Sequence, residues 1–397
     1  MPGPFVAVGY TRSSPSLLAL AGPTWRLAWG GAACAALLVT QLSCGASDEG
    51  SPDSSGVTPP SAGANHAELA AWGLFADAAQ QVPASGVEPF QPIAPLYSDY
   101  ANKRRFIYIP SGTKIGYSAD GVWQLPVGGI LIKTFSYRLD QREPAPAQIG
   151  PDTERLLETR LLYREGEAKW RVETYVWDAK GERATREVAG AVIDATWTDA
   201  AGQERTNAYG VPNLNACQTC HGSNADLNAL GLFTRQLDWD YEYPGGNENQ
   251  VDHFASLGWL DSAAAEPRQR LVDPFGGASA SDRVRSYFDS NCASCHRDGA
   301  FAESSGLYLD YASTDPAGSD PAVWGVCKQP TSAGGATCGL TWDVVPGKPD
   351  ESILLCRVEA KESQVRMPPL GSKLPHAEAA QLIRTWIEAL PPAPCSQ

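Results

Sequence analysis

The sequence predicts an α+β multidomain protein, in which an antiparallel β-sandwich or jelly-roll-like domain precedes mainly α-helical domains. Residues 90–212 contain short runs that alternate apolar and polar side chains, which is typical of strands with one buried face. Glycine-containing turn signals separate several of these runs, and they favour hairpins between antiparallel strands. From position 281 onwards the apolar residues Val284, Tyr287 and Phe288 recur at helical spacing.

Length and composition indicate a folded protein with two to three domains. The chain has 397 residues, 12 Trp and 9% aromatic residues, which is too apolar for a disordered protein. Its formal net charge of −14 leaves no basic surface for a phosphate backbone, so we expect no nucleic-acid partner. Protein partners should be neutral or basic.

Residues 1–43 have the pattern of a signal peptide. They contain Arg12 and Arg26, no acidic residue, and an apolar run over 27–39 that is short for a membrane span. A small residue precedes Cys44 and a glycine follows it, which resembles the lipobox of bacterial lipoproteins. The resemblance implies a lipid anchor at Cys44, with plain secretion as the alternative. We expect a periplasmic or outer-membrane-anchored protein of a Gram-negative bacterium, with no transmembrane span beyond the signal peptide.

The next regions carry no chemical motif. Residues 44–64 are rich in Ser, Pro, Gly and Asp and predict a flexible linker. Residues 65–89 predict a short helical segment capped by Asn65. In the β-rich domain, residues 90–212, we expect the Arg and Glu side chains of the strands to form a solvated face. These side chains are Arg155, Glu158, Arg160, Arg164 and Glu165.

Two copies of the pattern C-x-x-C-H, at Cys217–His221 and Cys292–His296, predict covalent haem attachment. The two thiols of each copy can add to the vinyl groups of a haem, and the adjacent histidine becomes an axial ligand of the iron. A local disulfide, a thioredoxin-type redox pair and half of a zinc site are the alternatives for a single copy. The predicted cofactor-binding residues are Cys217, Cys220, His221, Cys292, Cys295 and His296.

The second motif lies in a region, residues 281–397, that contains the only methionine outside the leader. Met367 occurs in an Arg-Met-Pro-Pro loop that precedes a predicted final helix over 376–390. A methionine in such a loop is typical of a haem thioether ligand, so we predict that Met367 binds the second iron. This stretch resembles a single-haem class I cytochrome c domain. The resemblance implies a mainly α-helical cytochrome c fold.

The first motif opens a haem-binding region over residues 213–280. Together with the phrase Leu125-Pro-Val-Gly-Gly129, its sequence resembles a family of predicted dihaem c-type cytochromes from bacterial envelopes. The resemblance implies two covalently attached haem c groups and an envelope location, and it names no substrate. His253, in a predicted helix, is our first choice for the second axial ligand of the first iron. His66 is the next choice, and an open iron is the remaining alternative.

Four cysteines outside the motifs predict two disulfides. An even number of such cysteines in an exported chain is typical of disulfide pairing. Of the three possible connectivities we favour Cys327 with Cys338, which closes a Gly-rich loop, and Cys356 with Cys395, which ties down the chain end. Two or more free thiols are the alternative.

These observations favour an electron carrier with two haems and an unidentified redox partner protein. The first alternative is a dihaem peroxidase-type enzyme, although that class usually separates its motifs more widely, in two matched cytochrome domains. The second alternative is a binding module in the β-rich domain, with the haems as an electron exit towards a partner dehydrogenase.

Overall fold

A six-stranded antiparallel sheet forms the centre of the fold. The computed structural model describes residues 56–222, 227, 229–331 and 337–396. The predicted signal peptide and Cys44 lie outside these residues. The described strands are β1 (Phe75–Asp77), β2 (Val82–Pro83), β3 (Val87–Pro89), β4 (Asn102–Tyr108), β5 (Ile130–Arg138), β6 (Glu154–Gly166), β7 (Lys169–Trp177), β8 (Ala184–Glu187), β9 (Ala191–Thr198), β10 (Glu204–Val211), β11 (Asp240–Tyr243) and β12 (Gly246–Asn249).

The large sheet is a meander, with strand order β3-β4-β5-β6-β7-β8, and each strand pairs with its neighbour in sequence. β1-β2, β9-β10 and β11-β12 form separate two-stranded pairs. The predicted β-sandwich or jelly roll is therefore wrong, because the described residues contain no second large sheet. Short helices and loops cover the sheet instead.

Each face of the sheet has its own hydrophobic cluster. Alternate residues of the strands point to opposite faces, as the pleat requires. One face packs Phe106 and Ile132 against the segment that contains Trp72. The other face packs Ile107 and Leu162 against residues of the 227–260 region. Both faces are thus buried at least in part, and the 227–260 region lies directly on the sheet.

The described helices are few and short. They are α1 (Leu214–His221), α2 (Thr234–Leu237), α3 (Gln250–Ser256), α4 (Ala280–Asn291), α5 (Ile353–Glu359) and α6 (Ala377–Ala389). Strands make up 26% and helices 19% of the structure, so the chain is mainly β. The predicted mainly α-helical cytochrome c haem domains are wrong. Turns and short 3-10 segments dominate the described residues of 292–352, where Gly, Pro, Asp and Ser interrupt helices.

The last two long helices build the C-terminal core. α4 begins at Ala280 after Ser279, whose hydroxyl accepts a hydrogen bond from the N–H of Asp282. Phe288 of α4 meets Trp386 of α6 edge to face, with ring centroids 5.8 Å apart. This contact fixes the end of α4, where the second motif begins.

The residues before the sheet differ from their prediction. Leu69–Trp72 form a 3-10 helix whose N-cap is Glu68, and Asn65 does not cap it. The N–H of Thr58 donates to the carbonyl of Trp72 at 2.9 Å. The described end of the predicted linker is therefore fixed to the sheet domain.

Hydrogen bonds join the predicted regions to one another. Asp99, before β4, accepts hydrogen bonds from the N–H groups of Lys373 and Leu374 at 2.7 and 2.8 Å. Arg235 of α2 pairs with Asp289 of α4 at 3.0 Å. All described residues belong to one compact unit. Among them, no helix has the length and apolar character needed to cross a membrane.

Candidate functional site

The first motif lies on α1, which follows β10 closely. Asn213 caps this helix, because its side chain accepts a hydrogen bond from the N–H of Ala216 at 3.0 Å. Cys217 and Cys220 occupy positions one turn apart, and His221 is the last residue of the helix. A single short element thus carries the whole motif.

Cys217 is buried above the charged part of the sheet. Burial raises the pKa of its thiol, and the charges of Arg160 and Glu158 act on it in opposite directions. Glu158 is fully buried and accepts hydrogen bonds from Arg160 at 2.9 Å and from the Tyr209 hydroxyl at 2.7 Å. The prediction that Glu158 belongs to a solvated face is therefore wrong, whereas Arg160 is partly exposed. They lie beneath the first motif.

The second motif lies in a turn at the end of α4. The N–H of Cys292 donates to the carbonyl of Phe288 at 2.8 Å. The carbonyl of Cys292 then accepts hydrogen bonds from the N–H groups of Cys295 and His296, at 3.1 and 2.9 Å. This turn gathers the motif around one backbone carbonyl, and burial raises the pKa of the Cys292 thiol to about 12.

His296 is held in a largely buried position. Its Nδ1 lies 3.3 Å from the hydroxyl oxygen of Ser305, and a backbone hydrogen bond links the ring to Leu307. Burial lowers the pKa of His296, which favours the neutral imidazole that a metal requires. The orientation of this ring is therefore fixed by its own surroundings.

Arg357 links the loop that contains Met367 to His296. The N–H of Met367 donates to the carbonyl of Arg357 at 2.8 Å, and Nε of Arg357 donates to the carbonyl of Val365 at 3.0 Å. The charge of Arg357 also acts on the pKa of His296. The predicted ligands His296 and Met367 are thus neighbours of one half-buried arginine.

The histidines predicted for the first iron are engaged elsewhere. Nδ1 and Nε2 of His253 lie 2.8 Å from Glu248 and 3.3 Å from Glu88, respectively. Nε2 of His66 lies 2.8 Å from the carbonyl of Thr58. Because both nitrogens of His253 face carboxylates, this arrangement leaves neither of them for an iron. The choice of His253 as a ligand is therefore not supported by its position.

His376 is largely buried beside α6, and no sequence pattern predicts a role for it. Its ring stacks on Tyr97 with centroids 4.0 Å apart, and its Nδ1 lies 3.2 Å from the hydroxyl of Tyr287. Burial lowers the pKa of His376 to about 3, and the charge of Lys103 adds to this effect. Its position at the start of the predicted helix over 376–390 gave no sign of these contacts.

The four remaining cysteines form two disulfides, but with a different pairing. Cys327 pairs with Cys395, and Cys338 pairs with Cys356. The predicted pairs, Cys327 with Cys338 and Cys356 with Cys395, are wrong. The N–H of Cys327 donates to the carbonyl of Val344, so this cysteine lies in the C-terminal core rather than on a local loop.

A row of three cations on the sheet was also missed. In the strand register, Arg105 of β4 lies opposite Lys133 of β5, and Lys133 lies opposite Arg160 of β6. We call these three residues the basic row. The sequence does contain a signal for this row, because residues two positions apart in a strand share a face. Arg105 therefore shares a face with Ile107, and Arg160 shares a face with Leu162. Ile107 and Leu162 are both buried.

The donor chemistry of these residues fits a covalently bound haem in most respects. Cys217 and Cys292 form no disulfide, and His296 and Met367 share a neighbour in Arg357. The basic row offers cations to an acidic cofactor. The predicted residues do not fit in one respect, which is the position of a second axial ligand at the first motif.

Comparison with known proteins gave no match to a family model, to a curated protein or to a solved structure.

Proposed function

We propose that the chain is an exported dihaem c-type cytochrome that transfers electrons in the cell envelope. The observation that carries this proposal is the repetition of C-x-x-C-H at Cys217–His221 and Cys292–His296. The resemblance to predicted dihaem c-type cytochromes supports it. The two disulfides are typical of proteins from oxidising compartments, which supports export.

A bound haem iron would supply one-electron oxidation and reduction. At the second motif, His296 and Met367 would hold the iron. Ser305 orients the imidazole, and burial keeps water away from it. Arg357 fixes the backbone on both sides of Arg366, and so restrains the position of the Met367 sulfur. Little reorganisation is then needed when an electron arrives or leaves.

The location and the partner follow from the same proposal. Removal of residues 1–43 would release a periplasmic protein, and acylation of Cys44 would anchor it to the outer membrane. The redox partner is a protein with a neutral or basic docking surface, because the chain has a formal net charge of −14.

Haem stoichiometry tests the proposal. The exported protein should contain two c-type haems per chain in a pyridine haemochrome assay, and both should survive acid extraction. The double substitutions Cys217→Ser with Cys220→Ser, and Cys292→Ser with Cys295→Ser, should each remove one haem, because thioether bonds need the thiols. The matched control is Cys338→Ser with Cys356→Ser, which should retain two. Bound zinc or fewer than two haems in the unmodified protein would contradict the proposal.

The position of His253 favours a second candidate function, a peroxidase-type enzyme with an open first iron. Because both nitrogens of His253 face carboxylates, we expect His253→Ala to leave the haem spectra and the rate of carbon monoxide binding unchanged. Stopped-flow carbon monoxide binding and peroxide turnover measure the difference. Rapid binding with strong turnover in the unmodified protein would favour the enzyme, and negligible turnover would favour the electron carrier. A spectral change in His253→Ala would restore His253 as a ligand.

A further inference from the structure

We propose that the basic row, Arg105, Lys133 and Arg160, binds the propionate carboxylates of the haem attached at Cys217 and Cys220. This inference rests on the proposed function, because it requires a haem at the first motif. It adds a specific role for the β-rich domain, which carries none of the attachment residues.

The geometry of the sheet places the three cations close together. Arg105, Lys133 and Arg160 lie directly opposite one another on three adjacent strands. Neighbouring strands are about 4.8 Å apart, and like charges directly opposite each other destabilise a sheet. Lys103 lies two residues before Arg105 and therefore extends the charge along the same face.

The protein neutralises only one of these charges. Arg160 forms a bidentate pair with Glu158. Arg105 donates to the amide oxygen of Gln91 at 2.9 Å, and the Lys133 ammonium lies 4.9 Å from the centre of the Phe135 ring. In the described part of the chain, no carboxylate forms an ion pair with Arg105, Lys133 or Lys103. A surplus of positive charge therefore lies on this face.

Burial makes this surplus costly. Arg105 is 7% exposed, and burial lowers its pKa to about 10. Burial and the neighbouring Arg105 lower the pKa of Lys103 to about 7. The pKa of Lys133 is also well below its usual value, because burial and three neighbouring cations disfavour its charge. Unpaired cations that are buried or partly buried favour the binding of an anion, since the anion restores the lost charge interactions.

The neighbourhood of the row identifies the anion. Cys217 lies close enough to Arg160 and Glu158 for their charges to affect its pKa. A haem joined to Cys217 carries two carboxylates, and arginine and lysine form strong charge-assisted hydrogen bonds with carboxylates. Two carboxylates and Glu158 would provide three negative charges for the three cations of the row and Lys103. A free organic dicarboxylate has the same chemistry and is the alternative source.

The reduction potential of the first haem tests the assignment in the full-length, haem-loaded protein. Lys133→Met should lower the equilibrium constant for reduction of that haem about tenfold, or about 59 mV for one electron. The physical reason is that a nearby cation stabilises the reduced haem. Lys103→Met should have the same direction of effect and serves as a second variant. Haem content should remain at two, because the attachment residues are untouched.

Three controls separate this effect from a general loss of charge. Lys133→Arg should keep the potential, because it keeps the cation. Lys180→Met changes the same charge at an exposed turn between β7 and β8 and should have no effect. The haem at His296 should keep its potential in every variant. Spectroelectrochemical titration resolves the two haems through the charge-transfer band of the Met367-ligated one.

Two results would overturn the inference while the proposed function stands. One is an unchanged first-haem potential in both Lys133→Met and Lys103→Met, with two haems bound. The other is saturable binding of succinate to the unmodified loaded protein that Lys133→Met abolishes, which would assign the row to a free dicarboxylate. Absence of a haem from the first motif of the unmodified protein would instead contradict the proposed function itself.

Discussion

Substitution of Met367 by alanine is expected to lower the reduction potential of the haem proposed at His296 by roughly 0.1 V or more, within the ~0.8 V range that axial ligands control. A thioether ligand raises the potential of a c-type haem, and water or another ligand in its place would not do so. The sulfur-to-iron charge-transfer band should disappear in the same variant. Visible spectroscopy and a potentiometric titration measure both effects.

Leu370→Ala is the matched control for this variant. Leu370 lies in the same loop and is 43% exposed, so its truncation alters the loop without removing a ligand. The band and the potential should remain as in the unmodified protein. If Met367→Ala also left them unchanged, Met367 would not be the ligand, and the contacts of Arg357 with its loop would serve the fold alone.

The strands of the large sheet could be predicted closely from the sequence. Within the β-rich region predicted over 90–212, the alternating run over 156–164 corresponds to β6, Glu154–Gly166, and the run over 170–177 corresponds to β7, Lys169–Trp177. Such strands are predictable because alternation is a local property, and glycine-containing turns mark their ends. The length of the strand and the side chains that share a face both follow from a few adjacent residues.

The segments that cover the two faces of the sheet could not be predicted in this way. A strand buried on both faces has the same sequence pattern whether a second sheet or a set of loops covers it. Here the 227–260 region covers one face and the segment around Trp72 covers the other, whereas in a sandwich a second sheet would cover one of them. For the same reason, the isolated helical signals at α4 and α6 did not reveal how little helix lies between them.

The same difference between local and long-range features decides which parts of the site could be predicted. The two C-x-x-C-H motifs are local and could be read directly, whereas the partner of a distant side chain depends on the whole fold. His253 occurs in a predicted helix that does form, as α3, but its ring contacts Glu88, which lies 165 positions earlier in the chain. The basic row likewise depends on the register of three strands, which no single strand specifies.

Removal of the Cys327–Cys395 disulfide, by alanine at both positions, is expected to lower the free energy of unfolding by about 4 kcal/mol. Removal of Cys338–Cys356 should lower it by about 3 kcal/mol. The two bonds join residues that are 68 and 18 positions apart, and the longer loop restricts the unfolded chain more. Denaturant titrations of the loaded protein and of the two double variants measure these differences.

Peptide mapping under non-reducing conditions tests the pairing that this expectation assumes. A peptide pair containing Cys327 and Cys395 should be found, together with one containing Cys338 and Cys356. The structural reason is that the N–H of Cys327 donates a hydrogen bond to the carbonyl of Val344, while the N–H of Gly347, three residues later, donates to the carbonyl of Ile387 in α6. These contacts bring Cys327 towards the segment after α6, whereas a Cys327–Cys338 peptide would contradict this arrangement. With that local pairing, each of the two double variants would break both disulfides, so their losses of stability would no longer differ in the expected way.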